Sequence, residues 1–212
     1  MNDQQALKST YQAEVYLALA TIIQAITVTA LGNELVVTIK NPQFPDLYWA
    51  FVTGLLSLLI CITVWYLFIR DYFYGYRLVV MTAKNHLVFA SAIFLLGFFQ
   101  FIAFQFLTQP RLWLTLVIVG VLIVFLNSIY MSRAVTFVPK ESAKEVVEVE
   151  MSSNLFLIMM FIATVGLVLW YLVPSIDTLL FRVVTLGAVG IGFLALDKGA
   201  IQSFQKHLDT DL

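Results

Sequence analysis

Residues 15–39 have the sequence VYLALATIIQAITVTALGNELVVTI, and this stretch decides the fold class. Its one charged residue is Glu34. As an α-helix it would be about 37 Å long, enough to cross the ~30 Å hydrocarbon core of a bilayer. Because backbone polar groups in lipid must pair internally, the stretch is expected to be helical despite its many β-branched residues. It therefore predicts a transmembrane helix.

Five further apolar segments follow along the chain. Together with the first they predict six spans, at about residues 15–39, 47–69, 87–108, 112–131, 155–173 and 178–196. The chain of 212 residues is 61% hydrophobic and 12% charged, about half the charged share of a soluble domain. Six spans leave too few residues for a soluble catalytic domain. We expect an all-α polytopic transmembrane bundle that forms one integral membrane domain over residues 1–212.

The connections between the spans alternate between short and long. The short ones, 40–46, 109–110 and 174–176, contain proline, which marks helix ends and predicts three helical hairpins. Nine of the twelve Lys and Arg residues fall on the side of the longer loops, 70–86 and 132–154, and of the termini. By the positive-inside rule this side is cytoplasmic, so both termini are expected in the cytoplasm.

The first five residues are polar and weakly acidic, unlike the basic start of a cleavable signal peptide. We therefore expect the first span to act as an uncleaved insertion signal. Since no organelle-targeting segment is apparent, the pattern favours a multi-pass protein of a bacterial-type inner (plasma) membrane.

Several kinds of chemistry are disfavoured by the sequence. Cys61 is the single cysteine, so no disulfide framework is expected, and His86 and His207 lack the spacing of haem or zinc ligands. No P-loop, G-x-S-x-G or H-E-x-x-H motif occurs. A net charge of −1 without a basic run disfavours nucleic-acid binding. We expect no metal, no cofactor and no enzymatic activity.

Two ionisable residues, Glu34 and Arg182, lie inside predicted spans, where charged groups are costly and are candidates for function. Each lies about 8 Å below the outer end of its helix, which predicts an ion pair between the first and sixth spans. The pair would either line a polar pathway or simply hold the bundle together. Alternatively each side chain reaches water separately, or Gly32 ends the first helix and leaves Glu34 in solvent.

One face of the first span carries a mostly polar stripe at helical spacing. Such a stripe either lines a hydrated cavity or forms hydrogen bonds with neighbouring helices. We take Gln24, Thr27 and Glu34 as candidate pathway residues, and expect Gln100 of the third span to form a hydrogen bond within the bundle. The full stripe consists of Gln24, Thr27, Leu31, Glu34 and Thr38.

Small residues predict where helices pack closely. Ala188 and Gly192 form a small-x-x-x-small motif in the sixth span, and Thr53 and Ser57 are four residues apart in the second. These stripes would serve packing within one chain or contact between copies in a homo-oligomer.

Aromatic residues are concentrated near the predicted membrane boundaries. The segment 70–77, RDYFYGYR, places aromatic rings between two arginines. It predicts either an anchor at headgroup depth in the lipid bilayer or a docking surface for a partner protein, formed by Arg70, Tyr72, Tyr74 and Arg77. The residues expected to mark the outer boundary are Tyr48, Trp49, Trp113, Trp170 and Tyr171.

Two functions fit these patterns. The first is a small channel or transporter, whose ion or solute passes along the polar face of the first helix. The second is a non-catalytic membrane subunit that scaffolds or anchors a larger complex through its cytoplasmic loops. An intramembrane enzyme would need a nucleophile paired with a base, and the spans contain no such pair.

Overall fold

A computed structural model describes residues 3–40, 46–74, 79–80, 83–134, 136–137 and 154–210. In these ranges each predicted apolar segment falls on one helix, as the all-α prediction requires. A short 3-10 helix, Pro174–Ile176, connects the last two helices. The helices are α1 (Asp3–Lys40), α2 (Asp46–Tyr74), α3 (Ala83–Phe104), α4 (Pro110–Ala134), α5 (Asn154–Leu172) and α6 (Leu179–Thr210).

Four of these helices contain segments long and apolar enough to cross a membrane: Glu14–Lys40, Asp46–Leu67, Asn154–Leu172 and Leu179–Leu196. Shorter apolar segments lie in α3 and α4, at Ala90–Phe104 and Pro110–Leu126. The chain is therefore a membrane protein by the length and composition of its helices, while the number of crossings and the side of the termini stay predictions.

The helix ends follow from local chemistry. Helix α1 continues through Gly32 without a break, and the Thr38 hydroxyl donates to the Glu34 carbonyl at 3.0 Å, so the alternative in which α1 ends at Gly32 is wrong. Helix α4 begins at Pro110, whose missing N–H is not needed at a first helical position. Helix α3 ends at Phe104, four residues before the predicted end, and is followed by a hydrogen-bonded turn.

Contacts at the helix connections show which connections lie at the same end of the bundle. The Thr53 hydroxyl of α2 donates to the Leu107 carbonyl in the α3–α4 turn at 2.7 Å, and Arg111 of α4 pairs with Asp177 between α5 and α6. The α3–α4 turn therefore lies beside the first turns of α2, and the start of α4 lies beside the α5–α6 connection, so these parts share one end. At the other end Val79–Val80 (β1) pairs antiparallel with Thr136–Phe137 (β2), which joins the two longer loops. We call the first of these the short-connection end.

Close packing holds the helices together where small residues allow it. Among the described glycines, the tightest approach is between α1 and α3, where a Cβ atom at Gly97 would lie 2.0 Å from Ile23 Cγ2. Between α5 and α6, Ala188 and Gly192 are both buried, and a Cβ at Gly192 would lie 3.2 Å from Met159 Cβ. Since lipid provides no hydrophobic drive between helices, such close dispersion contacts provide much of their attraction.

Candidate functional site

Two buried glutamines meet between α1 and α3. Gln24 Nε2 donates to Gln100 Oε1 at 2.9 Å, and each residue is only 6% exposed. The close approach at Gly97 makes this contact possible, because Gly97 lies one helical turn before Gln100 and opposite Ile23, the neighbour of Gln24. The hydrogen bond expected of Gln100 is therefore present, and its partner comes from the polar stripe of α1.

Thr27 and Cys61 extend this contact toward α2. The Thr27 hydroxyl donates to the Gln24 carbonyl at 2.9 Å and lies 3.9 Å from Cys61 Sγ. Both side chains are buried. We call Gln24, Thr27, Cys61 and Gln100 the polar cluster. It joins three helices and contains no group that is charged at neutral pH.

One donor of the polar cluster has no acceptor. Gln100 Nε2 is buried and makes no hydrogen bond within the described residues. A buried amide nitrogen left without a partner costs about 1–3 kcal/mol, so such groups are uncommon and call for an explanation. What Gln100 Nε2 lacks is a hydrogen-bond acceptor.

The polar stripe of α1 faces the interior of the bundle for most of its length. Gln24, Thr27, Leu31 and Thr38 are buried, and Glu34 is half-buried. Gln24 lies about 15 Å along the helix from Glu14, close to the middle of a bilayer centred on this span. Glu34 is a further ~15 Å toward the short-connection end. The stripe thus extends inside the protein from mid-span to the membrane surface.

The predicted ion pair between Glu34 and Arg182 is wrong. Arg182 Nε instead donates to Asp177 Oδ1 at 2.5 Å, and Arg111 Nη2 donates to Asp177 Oδ2 at 2.8 Å. Asp177 comes before α6 in the chain, five residues ahead of Arg182, so it reaches that side chain without crossing the bundle. We call Arg111, Asp177 and Arg182, with the Trp170 ring beneath them, the arginine site.

Charge and burial set the protonation of the arginine site. The hydrogen bond from Arg182 lowers the pKa of Asp177 below its ordinary value, outweighing partial burial, which raises it. The charges of Arg182 and Arg111 lower this pKa further. Asp177 is therefore ionised at neutral pH and holds both guanidinium groups at the end of the bundle.

The three tryptophans expected to mark the outer boundary lie inside the protein. Trp49, Trp113 and Trp170 are all buried, while Tyr48 and Tyr171 are exposed. Arg182 lies 5.1 Å from the Trp49 ring centroid and Arg111 lies 5.2 Å from that of Trp170, both within cation–π range. Hydropathy predicts that these rings lie near a boundary, but it does not show that they point inward.

Thr53 and Ser57, expected to mediate packing, are both fully buried. Ser57 Oγ accepts a hydrogen bond from Trp113 Nε1 at 2.8 Å, which joins α2 to α4. Thr53 and Ser57 therefore join the helices through hydrogen bonds as well as through their small size.

The aromatic-basic segment is only partly covered by the structure. Residues Arg70, Tyr72 and Tyr74 fall in the last turns of α2, and Arg77 lies outside the described residues. Whether this segment is an anchor or a docking surface stays a prediction. Within the described ranges, no three His, Cys, Asp or Glu residues group as metal ligands would. Comparison with protein-family models, curated proteins and solved structures finds no match to this chain.

Proposed function

We propose that the protein is a small membrane channel or transporter whose pathway runs beside α1. The observation that carries the proposal is the unpartnered Gln100 Nε2, buried beside Gln24 at mid-span. A polar solute, an ion with its water, or a water chain would supply the missing acceptor as it passes. Polar groups at membrane depth usually pair with each other. A buried donor left without an acceptor is therefore explained if it binds the solute that passes.

The chemistry of the polar cluster suits small polar cargo. Two amides and a hydroxyl offer both donors and acceptors without a fixed charge. Such a lining would favour an uncharged polar solute, or an ion that keeps part of its hydration shell. Glu34, half-buried nearer the short-connection end, would then attract cations rather than anions toward the same path.

Flux measurements on purified protein in liposomes test the proposal. Ion currents and the swelling of liposomes in small polar solutes would be recorded for wild type and for the double variant Gln24→Leu/Gln100→Leu. Replacing both partners by apolar side chains of similar size avoids a new unpaired group, so the double variant should remain folded. We expect the wild-type protein to pass an ion or solute, and the double variant to lose this flux.

A control variant on the same helix makes this test specific. Thr29 is exposed on α1 and its hydroxyl bonds its own helix at the Ala25 carbonyl, so Thr29→Val should leave the flux unchanged. The proposal fails if wild-type protein passes no ion or solute, or if the folded double variant conducts as well as wild type.

A second function, a non-catalytic subunit of a membrane complex, is favoured by a different observation. Several hydroxyls in the spans already donate to carbonyls of their own helices, as Thr38, Thr63 and Thr164 do, so they offer little to a passing solute. Under this proposal the chain would co-purify in mild detergent with other membrane proteins in a fixed ratio. Recovery of the chain alone would contradict it.

A further inference from the structure

The arginine site holds more positive than negative charge. Two guanidinium groups share the single carboxylate of Asp177, and each uses one of its five N–H donors there. No other acidic side chain within the described ranges forms an ion pair with Arg111 or Arg182. Most of the guanidinium donors are therefore left to bind another acceptor.

The arginine site is open to solution and rigid at its base. The side chains of Arg111 and Arg182 are 36% and 28% exposed, so a ligand can reach them. The buried ring of Trp170 lies 5.2 Å from the first guanidinium carbon and 5.6 Å from the second. Asp177 and this ring together fix the directions in which the free N–H groups point.

The Trp170 indole places another N–H donor at this base. Trp170 Nε1 is buried and faces the Asp177 carboxylate, and this contact also lowers the pKa of Asp177. The site also lies beside the first residues of α4 and α6, at Pro110 and Leu179, where the helix dipoles add positive potential. All these features favour an anion with several acceptor oxygens.

We propose that Arg111 and Arg182 bind a phosphate oxyanion at the short-connection end, with Asp177 and Trp170 holding the two arginines in position. Planar guanidinium groups match phosphate oxygens through paired N–H donors. The connection between α5 and α6 lies between two candidate membrane-spanning segments, where lipid phosphates are abundant. The phosphate belongs either to a lipid headgroup or to a free anion in solution. This proposal does not depend on the pathway beside α1.

Two binding measurements on the purified full chain in neutral detergent separate these sources. Native mass spectrometry would compare the number of phosphatidylglycerol molecules that stay bound with the number of diacylglycerol molecules, which lack the phosphate. Tryptophan fluorescence would follow a titration with inorganic phosphate, because Trp49 and Trp170 contact the arginines. Loss of one charge-assisted contact in Arg111→Gln or Arg182→Gln should weaken binding roughly tenfold or more.

Matched variants show whether the effect belongs to the site. Arg133→Gln removes the same charge from the far end of α4, about 33 Å away, and should leave binding unchanged. Arg111→Lys should bind with intermediate affinity, because lysine keeps the charge without the planar fork. Thermal unfolding would confirm that each variant is folded; if Arg182→Gln is not, the Arg111 variants decide.

Each outcome then has a definite meaning. Phosphatidylglycerol binding that both arginine variants weaken supports the lipid source, and the same pattern with inorganic phosphate supports a free anion. The proposal is overturned if neither ligand binds, if diacylglycerol is retained equally well, or if Arg133→Gln weakens binding as much as Arg111→Gln.

Discussion

Replacing Gly97 with alanine should separate α1 from α3 and break the polar cluster. The added methyl carbon would lie 2.0 Å from Ile23 Cγ2, whereas carbon atoms in contact need about 3.5–4.0 Å. Either the helices move apart by about 1.5 Å or Ile23 leaves the rotamer that helices strongly prefer for β-branched residues. Overpacking of this kind costs about 1–3 kcal/mol.

Separation of the helices adds a second cost. The hydrogen bond from Gln24 to Gln100 is 2.9 Å long, and a shift of about 1 Å would take it beyond useful range. Interhelical hydrogen bonds in membranes contribute about 0.6–1.7 kcal/mol. Together the two effects predict that Gly97→Ala lowers the free energy of unfolding by about 2–4 kcal/mol, and that any flux falls with it.

Cys61 provides the assay. It is the only cysteine and is buried, so a thiol-reactive dye reports its exposure as the detergent-solubilised protein is heated. We expect the unfolding midpoint of Gly97→Ala to fall by about 5 °C or more. Gly32→Ala is the matched control, because a Cβ atom there meets nothing within 4 Å and alanine favours a helix over glycine by up to about 1 kcal/mol.

A second substitution isolates the contact responsible. Ile23→Ala removes the Cγ2 methyl, so adding Gly97→Ala to it should cost less than about 0.5 kcal/mol, whereas Ile23→Val keeps the methyl and should give no relief. The reasoning is refuted if Gly97→Ala is as stable as Gly32→Ala, or if Ile23→Ala leaves its cost unchanged.

Three further predictions concern other contacts. Ser57→Ala and Trp113→Phe remove the two ends of one buried hydrogen bond, so a double-mutant cycle of unfolding free energies should give a coupling of about 0.6–1.7 kcal/mol; additive effects would contradict the contact. Because the pKa of Asp177 lies below its ordinary 3.8, its contribution to stability is complete above that pH and is lost as the pH falls through the lowered value. The unfolding midpoint of Asp177→Asn should therefore be lower than that of wild type at pH 7, and the difference should shrink in acid; a constant difference would contradict this. Gly166→Ala would place a methyl group 2.7 Å from Thr185 Cγ2 and 2.8 Å from Thr185 Oγ1, so it should lower the midpoint; Thr185→Ala, which removes both atoms, should restore most of the loss, and no relief would contradict the contact.

The helices and the inward face of α1 follow from the sequence for a simple reason. In lipid the backbone must pair internally, so long apolar runs form helices, and a polar stripe turns away from the hydrocarbon. Gln24 and Gln100 could thus be expected inside the bundle. Their pairing could not, because it depends on the close approach at Gly97, and one sequence does not show which helix packs against that glycine.

The charges at the short-connection end were harder to predict. Depth along two helices matched Glu34 with Arg182, but helices at equal depth need not be neighbours, and Asp177 was closer along the chain. The one available signal was that Asp177 and Arg111 both lie in short connections that three hairpins would bring to the same end. Likewise, hydropathy places Trp49, Trp113 and Trp170 near a boundary without distinguishing an inward ring from an outward one.

Cysteine labelling in intact cells tests the transmembrane arrangement most directly. In a Cys61→Ser background, single cysteines at Gln109 and Ser175 should react with a membrane-impermeant maleimide from outside. Cysteines placed at Arg77 and Lys144 should react only after the membrane is permeabilised. Labelling of Arg77→Cys or Lys144→Cys in intact cells, as strong as that of Gln109→Cys, would contradict a bundle whose longer loops face the cytoplasm.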